Sequence, residues 1–238
     1  GVAALAYGTE TIPAVDGIVG PGNAYVTAAK LLCSSRVRID LPAGPSEVVV
    51  IADASASAER VSADLLAQAE HGADSESVLY TDDAMLSDAV RSMVVDNENV
   101  RVELVESLEE AVARSEAYAP EHLELHVADV AAVVGRIRNA GSVFVGGSAA
   151  VGDYAAGATH VLPTGGLARS AGGLGPEAFL KPIQIVEVSE DGLRAAAGVV
   201  GPLARVEGLP LHAASVEGAL AAAAARSAGT GVAGREGT

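Results

Sequence analysis

The sequence predicts an α/β protein built on an open, mostly parallel β-sheet with helices on both faces. Two observations carry this prediction. Short runs rich in β-branched residues alternate along the chain with longer stretches in which apolar residues recur at helical spacing. In addition, 50% of the 238 residues are hydrophobic, which is enough to bury one large or two modest cores and excludes a disordered chain.

The strands are predicted from the β-branched runs. They occupy residues 47–52, 77–81, 101–105, 122–127 and 142–146. The helices are predicted from the apolar spacing between these runs, and several begin with Ser or Asp, which are favoured N-cap residues. They occupy residues 55–70, 82–95, 107–117 and 129–140. This alternation of strand and helix predicts parallel pairing of the strands.

The last quarter of the chain changes character. One predicted strand, at residues 182–189, is followed by helices at about residues 190–206 and 211–226 without a strand between them. This pattern indicates a separate, mostly helical C-terminal arm, with its boundary in the glycine-rich residues 164–175. The chain then becomes small, polar and Gly-rich, so we expect a disordered tail from about residue 227.

Charge and cysteine content narrow the kind of partner and the compartment. The formal net charge is −16 and the 15 Lys and Arg residues are scattered, which argues against nucleic acids and membranes and favours a small-molecule or protein partner. The single cysteine, Cys33, excludes an intrachain disulfide and fits a reducing compartment. Because no apolar run reaches the ~18 to 20 residues of a membrane span and no signal-peptide pattern is present, we predict a cytoplasmic protein.

Histidines beside carboxylates are the main functional signal. Of the five histidines, His71, His122 and His160 lie in three segments that also hold Asp, Glu or Gln. These segments read QAEHG, APEHLE and GDYAAGATHVLPT. Imidazole and carboxylate groups together predict a metal-assisted or acid/base site.

Gln68 and His71 lie near the end of a predicted helix, where a spacing of three places both side chains on one face, as a metal or substrate site requires. The same residues are equally typical of an ordinary helix end. In that interpretation His71 interacts with the last carbonyls of the helix and Gly72 follows its end.

Glu121 and His122 follow Pro120 at a loop-to-strand transition, a common location for catalytic groups in open α/β sheets. A carboxylate and an imidazole offer two bases of different pKa, which suits a reaction with more than one proton transfer. The alternative is a pair at the edge of a strand that faces solvent. His126 is in phase with His122, but it lacks a local carboxylate partner on its loop side and is interpreted as structural.

Asp153 and His160 bracket a Gly-, Ala- and Thr-rich loop that ends at Pro163, so we expect the loop rather than a helix to position them. His212 lies at the start of a late helix, with Glu207 five residues earlier. Taken alone, His212 is most simply a surface residue at a helix N-terminus.

Read in order, these segments resemble histidinol dehydrogenase. The resemblance extends to about Leu220 and includes further motifs besides the histidine segments. These are GPGNAYVTAAK at residues 20–30, DLPAGPSEV at residues 40–48, AGSVFVG at residues 140–146 and the helix that carries His212. The order and spacing of several uncommon motifs make the resemblance specific.

The resemblance implies a zinc enzyme that oxidises L-histidinol to L-histidine in two NAD-dependent steps through a bound aldehyde. It places the zinc ligands at Gln68, His71, Asp153 and His212. An oxygen, two imidazoles and a carboxylate form a plausible zinc site, and the substrate can complete the shell. It also implies that His122 deprotonates the alcohol and that Glu121 helps to activate the water that hydrates the aldehyde.

Further roles follow from the same resemblance. Ser46, His160 and Glu207 match substrate-binding positions, together with His122 and the zinc ligands, and Asn23 matches a position that contacts NAD. Members of the family are homodimers in which the C-terminal arm reaches across, so Glu207 and His212 would serve the site of the neighbouring subunit. The resemblance divides the chain into the end of an NAD-contacting domain at residues 1–45, a Rossmann-like domain with most of the site at residues 46–174, and the arm at residues 175–238.

The sequence departs from the family pattern in three respects. Family chains are nearly twice as long, and Gly1 begins in mid-pattern, so we expect an N-terminal part of the family fold to precede it. The loop before Asp153 is short and lacks the usual proline, and Ala158 and Thr159 replace more polar residues. There is no GxGxxG fingerprint. Three alternatives therefore stay open: a related zinc and NAD dehydrogenase of another polar alcohol, a metallohydrolase, and a truncated, inactive metal-binding subunit.

Overall fold

A computed structural model describes residues 1–42 and 44–230, with side chains described up to residue 225. The chain forms two compact units, Gly1–Lys181 and Pro182–Thr238. Within the described residues, no helix combines the length and the apolar character needed to cross a membrane.

The N-terminal unit begins with a small parallel sheet that the sequence patterns did not predict. Helix α1 (Val2–Tyr7), strand β1 (Gly17–Ile18), helix α2 (Ala24–Cys33) and strand β2 (Arg38–Ile39) follow each other, and β1 pairs with β2. A buried ion pair between Lys30 of α2 and Asp40 closes this part of the chain, and Asp40 also accepts the backbone N–H of Gly20 at 2.7 Å. The strands are only two residues long, which is too short for a detectable alternation.

The main sheet contains five parallel strands, as the sequence predicted. They are β3 (Glu47–Ala52), β4 (Glu76–Thr81), β5 (Val100–Leu104), β6 (His122–His126) and β7 (Ser142–Val145). Their spatial order is β5-β4-β3-β6-β7. The sequence order therefore reverses direction at β3, which lies between β4 and β6.

Helices cover both faces of this sheet, which explains why β3 reads as a continuous apolar run. Helix α3 (Ala58–Ala69), helix α4 (Ala84–Met93) and helix α7 (Ala149–Tyr154) pack on the face that contains Val48 and Val50. Helix α5 (Leu108–Tyr118) and helix α6 (Val130–Val134) pack on the face that contains Val49 and Ile51. Ser57, Asp83 and Ser107 cap α3, α4 and α5 through their side chains.

The predicted helix at residues 129–140 is wrong beyond Val134, where α6 ends. The backbone N–H groups of Arg138 and Asn139 donate to the Glu116 carboxylate, at 2.9 and 3.2 Å, instead of continuing a helical ladder. The Glu116 carboxylate of α5 thus replaces the helical backbone carbonyls as acceptor. Periodicity along a single segment cannot reveal a partner that is distant in sequence.

The C-terminal unit is a helical hairpin of α8 (Glu190–Val206) and α9 (Pro210–Thr230), which pack together. Before it, residues 182–189 form no strand among the described residues, so the strand predicted there is wrong. Its apolar side chains Ile183, Ile185 and Val186 are exposed. Helix α9 continues past the expected start of a tail at residue 227, and the remainder of that predicted tail, residues 231–238, lies outside the described residues.

Candidate active site

The predicted catalytic residues converge at the amino-terminal edge of the main sheet. Ser46 directly precedes β3, Glu121 directly precedes β6, and His122 begins β6 in register with Val48. Open α/β sheets more commonly carry their sites at the carboxyl ends of the strands. Glu121 and His122 therefore lie at the opposite edge of the sheet from the one that this general rule predicts.

The backbone around Glu121 is shaped by tight local geometry. Helix α5 is followed by its C-cap residue Ala119, whose left-handed conformation (φ 58°) turns the chain toward β6. Directly before the neighbouring strand β7, a Cβ at Gly141 would lie 2.6 Å from the Glu121 carbonyl oxygen, so a larger residue there would push this backbone away. The sequence thus fixes the entry of the chain into β6 through one strained residue and one glycine.

Glu121 and His122 are buried rather than solvent-facing, with 7% and 4% of their surfaces exposed. The interpretation of the pair as a solvated strand edge is therefore wrong. Glu121 Oε2 accepts the Ser46 hydroxyl at 2.7 Å and the Glu47 N–H at 3.1 Å, and it lies 3.6 Å from His122 Nδ1. A single carboxylate oxygen thus accepts a hydroxyl and lies close to an imidazole without a hydrogen bond to it, so groups of the kind that serve as general acids and bases are adjacent.

Phe144 of β7 links His122 to helix α7. Its ring centroid lies 5.8 Å from that of His122, and a Cβ on Gly152 would come within 2.6 Å of the Phe144 ring. Asp153 follows Gly152 and is half-buried in the last turn of α7. The expectation that no helix holds Asp153 is therefore wrong, because Ser148 caps a short helix that a glycine within it had obscured.

Gln68 and His71 reach the same edge at the C-terminal end of α3, from which the chain returns to the start of β4. Gln68 is 5% exposed, and its Nε2 has no hydrogen-bond partner among the described residues. His71 is exposed, and its Nδ1 lies 3.1 Å from the Gln68 carbonyl oxygen. This is the contact expected of an ordinary helix end, but a protonated Nδ1 also leaves Nε2 as the nitrogen that can bind a metal.

The donor set fits a zinc ion. The Gln68 amide oxygen, the His71 imidazole and the Asp153 carboxylate are all atoms that zinc accepts as ligands. Gln68 Nε2 and His122 Nδ1 are buried without a hydrogen-bond partner among the described residues, and rotation of the Gln68 amide exchanges its nitrogen and oxygen. Buried polar groups of this kind fit a site that a further group completes.

Glu47, which the sequence reasoning missed, supports the site from the other face of the sheet. Its Oε1 accepts the N–H groups of Glu121 and Gly165, at 3.2 and 3.1 Å. Burial, reinforced by the negative charge of Glu121, raises the pKa of Glu47 to about 7, and these hydrogen bonds oppose the rise. The available signal was a carboxylate at the first position of an otherwise apolar strand.

Glu47→Gln should therefore flatten the pH dependence of stability. The folded-state pKa of this carboxyl is raised, so its ionisation costs folding free energy progressively from about pH 4.5 to about pH 7. Relative to wild type, the variant should gain up to about 3 kcal/mol across that window, measured by urea unfolding. Glu98→Gln, at an exposed carboxylate, is the control. A Glu47→Gln curve parallel to wild type would contradict this explanation.

The loop that carries His160 returns to this edge of the sheet. Gly44 N–H donates to the Thr164 hydroxyl at 2.5 Å, next to the contact between Gly165 and Glu47. His160 itself is exposed on the loop. The structure thus anchors the end of the loop at the site without bringing the imidazole into the buried group.

Asn23, the predicted NAD contact, lies in the small N-terminal sheet region. Its Oδ1 accepts the N–H groups of Tyr25 and Val26, at 3.1 and 3.2 Å, as the cap of α2. A cavity of about 530 Å³ also lies in this part of the unit, lined by Gly17, Arg38 and Phe179 among others, and none of the predicted site residues lines it. The predicted catalytic residues and zinc ligands are thus absent from the lining of this cavity.

The remaining predicted residues belong to the C-terminal unit. Glu207 is the C-cap residue of α8 and is exposed. His212 is exposed in the first turn of α9, where its N–H donates to the Leu209 carbonyl at 3.1 Å. The predicted zinc ligands are therefore divided between two compact units, with Gln68, His71 and Asp153 in the other one.

A second polar cluster lies farther along β6, on the face of this strand that also carries His122. Glu124 Oε2 is 3.1 Å from His126 Nε2, which is also 3.5 Å from Asp64 Oδ2. The carboxylate partners of His126 thus come from β6 and α3 and not from the loop that follows it. Burial and the negative charge of Glu124 raise the pKa of Asp64. Among the described residues these three groups approach closely enough to hold a metal, although none is a predicted ligand.

Fold and site together define the class: an α/β protein in which a buried acid/base pair and zinc-type donors share one edge of a parallel sheet. The family model of histidinol dehydrogenase matches residues 1–220. The chain belongs to the histidinol dehydrogenase family.

Individual relatives agree with the family match. The chain is similar to the histidinol dehydrogenases of Methanosarcina barkeri, at 46% identity over 210 residues, and Archaeoglobus fulgidus, at 48% over 198 residues. These matches cover 82% and 81% of this chain, but 48% and 49% of the relatives. A crystal structure of histidinol dehydrogenase from Elizabethkingia anophelis matches with a TM-score of 0.84 and 39% identity, over 93% of this chain and 55% of that one. The chain thus spans about half the length of the curated relatives it matches.

Proposed function

We propose that this chain carries most of the zinc and catalytic site of a histidinol dehydrogenase, which oxidises L-histidinol through L-histidinaldehyde to L-histidine with NAD as oxidant. The observation that carries the proposal is the contact of the buried Glu121 carboxylate with Ser46 and His122 at the start of β3 and β6. Gln68 and His71 end helix α3 before the start of the adjacent strand β4. Residues 1–45 would complete an NAD-contacting domain, residues 46–174 would form the Rossmann-like domain of the site, and residues 175–238 would form the arm.

Gln68, His71 and Asp153 would hold zinc, with His212 as the fourth protein ligand, and Asn23 would contact NAD. When bound, zinc orients and polarises the substrate oxygen, and NAD accepts a hydride in each oxidation. The loop that ends at Thr164 would bring His160 to the substrate.

His122 would accept the hydroxyl proton of the alcohol as the first oxidation proceeds. The Glu121 carboxylate, 3.6 Å from His122 Nδ1, would stabilise the positive charge of the imidazolium that forms. For the second oxidation, Glu121 would help to remove a proton from the water that adds to the aldehyde. Ser46 would hold Glu121 in place and contact the substrate.

The dimer is part of this proposal. Glu207 and His212 lie in a unit distinct from the one with the other ligands, and the preceding residues 182–189 expose Ile183, Ile185 and Val186. Exposed apolar side chains on an extended segment are suited to cover by another chain. We infer that the arm reaches a second subunit and completes its site there.

The test combines turnover with metal content in the complete product of the gene. NADH formation with L-histidinol, compared with another polar alcohol, distinguishes histidinol dehydrogenase from a related dehydrogenase and from a metallohydrolase. His71→Ala and Asp153→Ala should reduce zinc from about one per site to near zero by atomic emission, because each removes a ligand. Glu70→Gln, an exposed neighbour on the same helix end, is the control. Stoichiometric zinc in both ligand variants would reject the site.

A further inference from the structure

Glu124 is the most deeply buried carboxylate beside the site, with 1% of its surface exposed in the middle of β6. Its Oε1 accepts the backbone N–H of Ala149 at 2.6 Å, while Oε2 lies 3.1 Å from His126 Nε2. The contact with Ala149 is a charge-assisted hydrogen bond to the first residue of α7. Glu124 therefore connects strand β6 to the start of helix α7.

Asp64 strengthens the same connection from α3. Its carboxylate lies 3.5 Å from His126 Nε2, and it is hydrogen-bonded by Ser148, the N-cap of α7. Two consecutive residues at the beginning of α7 are thus held by two carboxylates from different elements. His126 Nε2 lies near both carboxylates and is hydrogen-bonded to that of Glu124.

Helix α7 depends on these contacts because it has only six residues. A helix this short has little stability of its own, so its position is set by its neighbours. One end is held by Glu124 and Asp64, and the other packs through Gly152 against Phe144. Asp153, the next residue, lies in the turn whose position these two anchors determine.

We propose that Glu124, held by His126 and Asp64, is a positioning residue of the zinc site that fixes α7 so that Asp153 reaches the metal. This inference rests on the proposed function in its assignment of Asp153 as a ligand. Glu124 touches neither substrate nor metal in this role and acts only through the N–H of Ala149. Groups that orient a ligand typically change metal affinity about 10- to 100-fold when they are lost.

The experiment compares two substitutions of Glu124 in the complete product of the gene. Glu124→Gln keeps an oxygen that can accept the Ala149 N–H, whereas Glu124→Met removes it at similar size. Glu124→Met should weaken zinc binding about 10- to 100-fold in chelator competition and lower the hydrogen-exchange protection of α7. Glu124→Gln should restore both values close to wild type. If Glu124→Met does not fold, Glu124→Asp, which withdraws the oxygen by one methylene, takes its place.

Val90→Ala is the control for general destabilisation, because Val90 is buried in the same core on α4. Equal weakening of zinc binding in Val90→Ala and Glu124→Met would overturn the proposal. Unchanged α7 protection in Glu124→Met would also overturn it. If the wild type binds two zinc ions per subunit and Glu124→Met binds one, Asp64, Glu124 and His126 are a metal site instead. That result would overturn the positioning role.

Asp153→Ala separates this inference from the proposed function. If zinc persists in Asp153→Ala, the assigned ligand is wrong and the positioning role for the metal falls with it. If Asp153→Ala loses zinc but Glu124→Met does not, the proposed function stands and only the positioning role is rejected. Loss of zinc in both, with rescue by Glu124→Gln, supports both.

Discussion

His122→Asn should slow both oxidation steps by about 10²- to 10⁴-fold, the usual cost of losing a general base. Glu121→Gln should slow the step from aldehyde to acid more than the oxidation of the alcohol, because only the later step needs an activated water. The two half-reactions are measured separately, by NADH formation in single turnovers that start from histidinol or from histidinaldehyde.

The geometry makes Glu121→Gln a clean test of base function. The remaining amide oxygen can still accept from Ser46 or from the Glu47 N–H, so the backbone position should persist. Glu76→Gln, which alters a half-exposed carboxylate at the start of β4, controls for charge at this edge. Small and equal effects of Glu121→Gln and His122→Asn on both half-reactions would reject the assigned roles.

The strands of the main sheet were predictable because each one satisfies a local rule. In β3 every residue from Glu47 to Ala52 is buried, and a short run rich in β-branched residues is typical of a strand covered on both faces. Helix α3 was predictable for a similar local reason, since Ser57 caps a segment with regular apolar spacing. Where local pattern and final environment agree, the sequence alone suffices.

Elements that depend on distant partners were not predictable. Residues 136–139 would continue α6 by local preference, but the Glu116 carboxylate from α5 takes the N–H groups of Arg138 and Asn139. Residues 182–189 have the composition of a strand, yet the described residues provide no neighbouring strand to pair with them. Strand propensity expresses packing against neighbours more than a preference of the backbone.

The site shows the same division. The resemblance identified Ser46, Glu121 and His122 individually, but their contact joins Ser46 and Glu121 across 75 positions. Only the strand order, in which β3 lies beside β6, brings them together. For the same reason, sequence reasoning missed Glu47, whose partners are the distant N–H groups of Glu121 and Gly165.

The mixed dimer is the sharpest test of the shared site. His122→Asn and His212→Ala subunits should each be inactive alone. If His212 serves the partner, a heterodimer of the two has one site with both lesions and one site with neither. Random pairing of equal amounts makes about half of the dimers mixed, so activity should recover to about one quarter of wild type.

Recovery is expected because the two substituted residues lie in different compact units. His122 belongs to Gly1–Lys181, and His212 belongs to Pro182–Thr238. A site built within one subunit would leave a lesion in every site of the mixture, whatever the pairing. Activity is measured as NADH formation after subunit exchange, and exchange itself is verified by native mass spectrometry. A mixture of His122→Asn with Glu121→Gln is the matched control, because these lesions share one unit and each site of that heterodimer keeps one of them. Full exchange without recovery in the first mixture would show that each arm completes its own subunit's site.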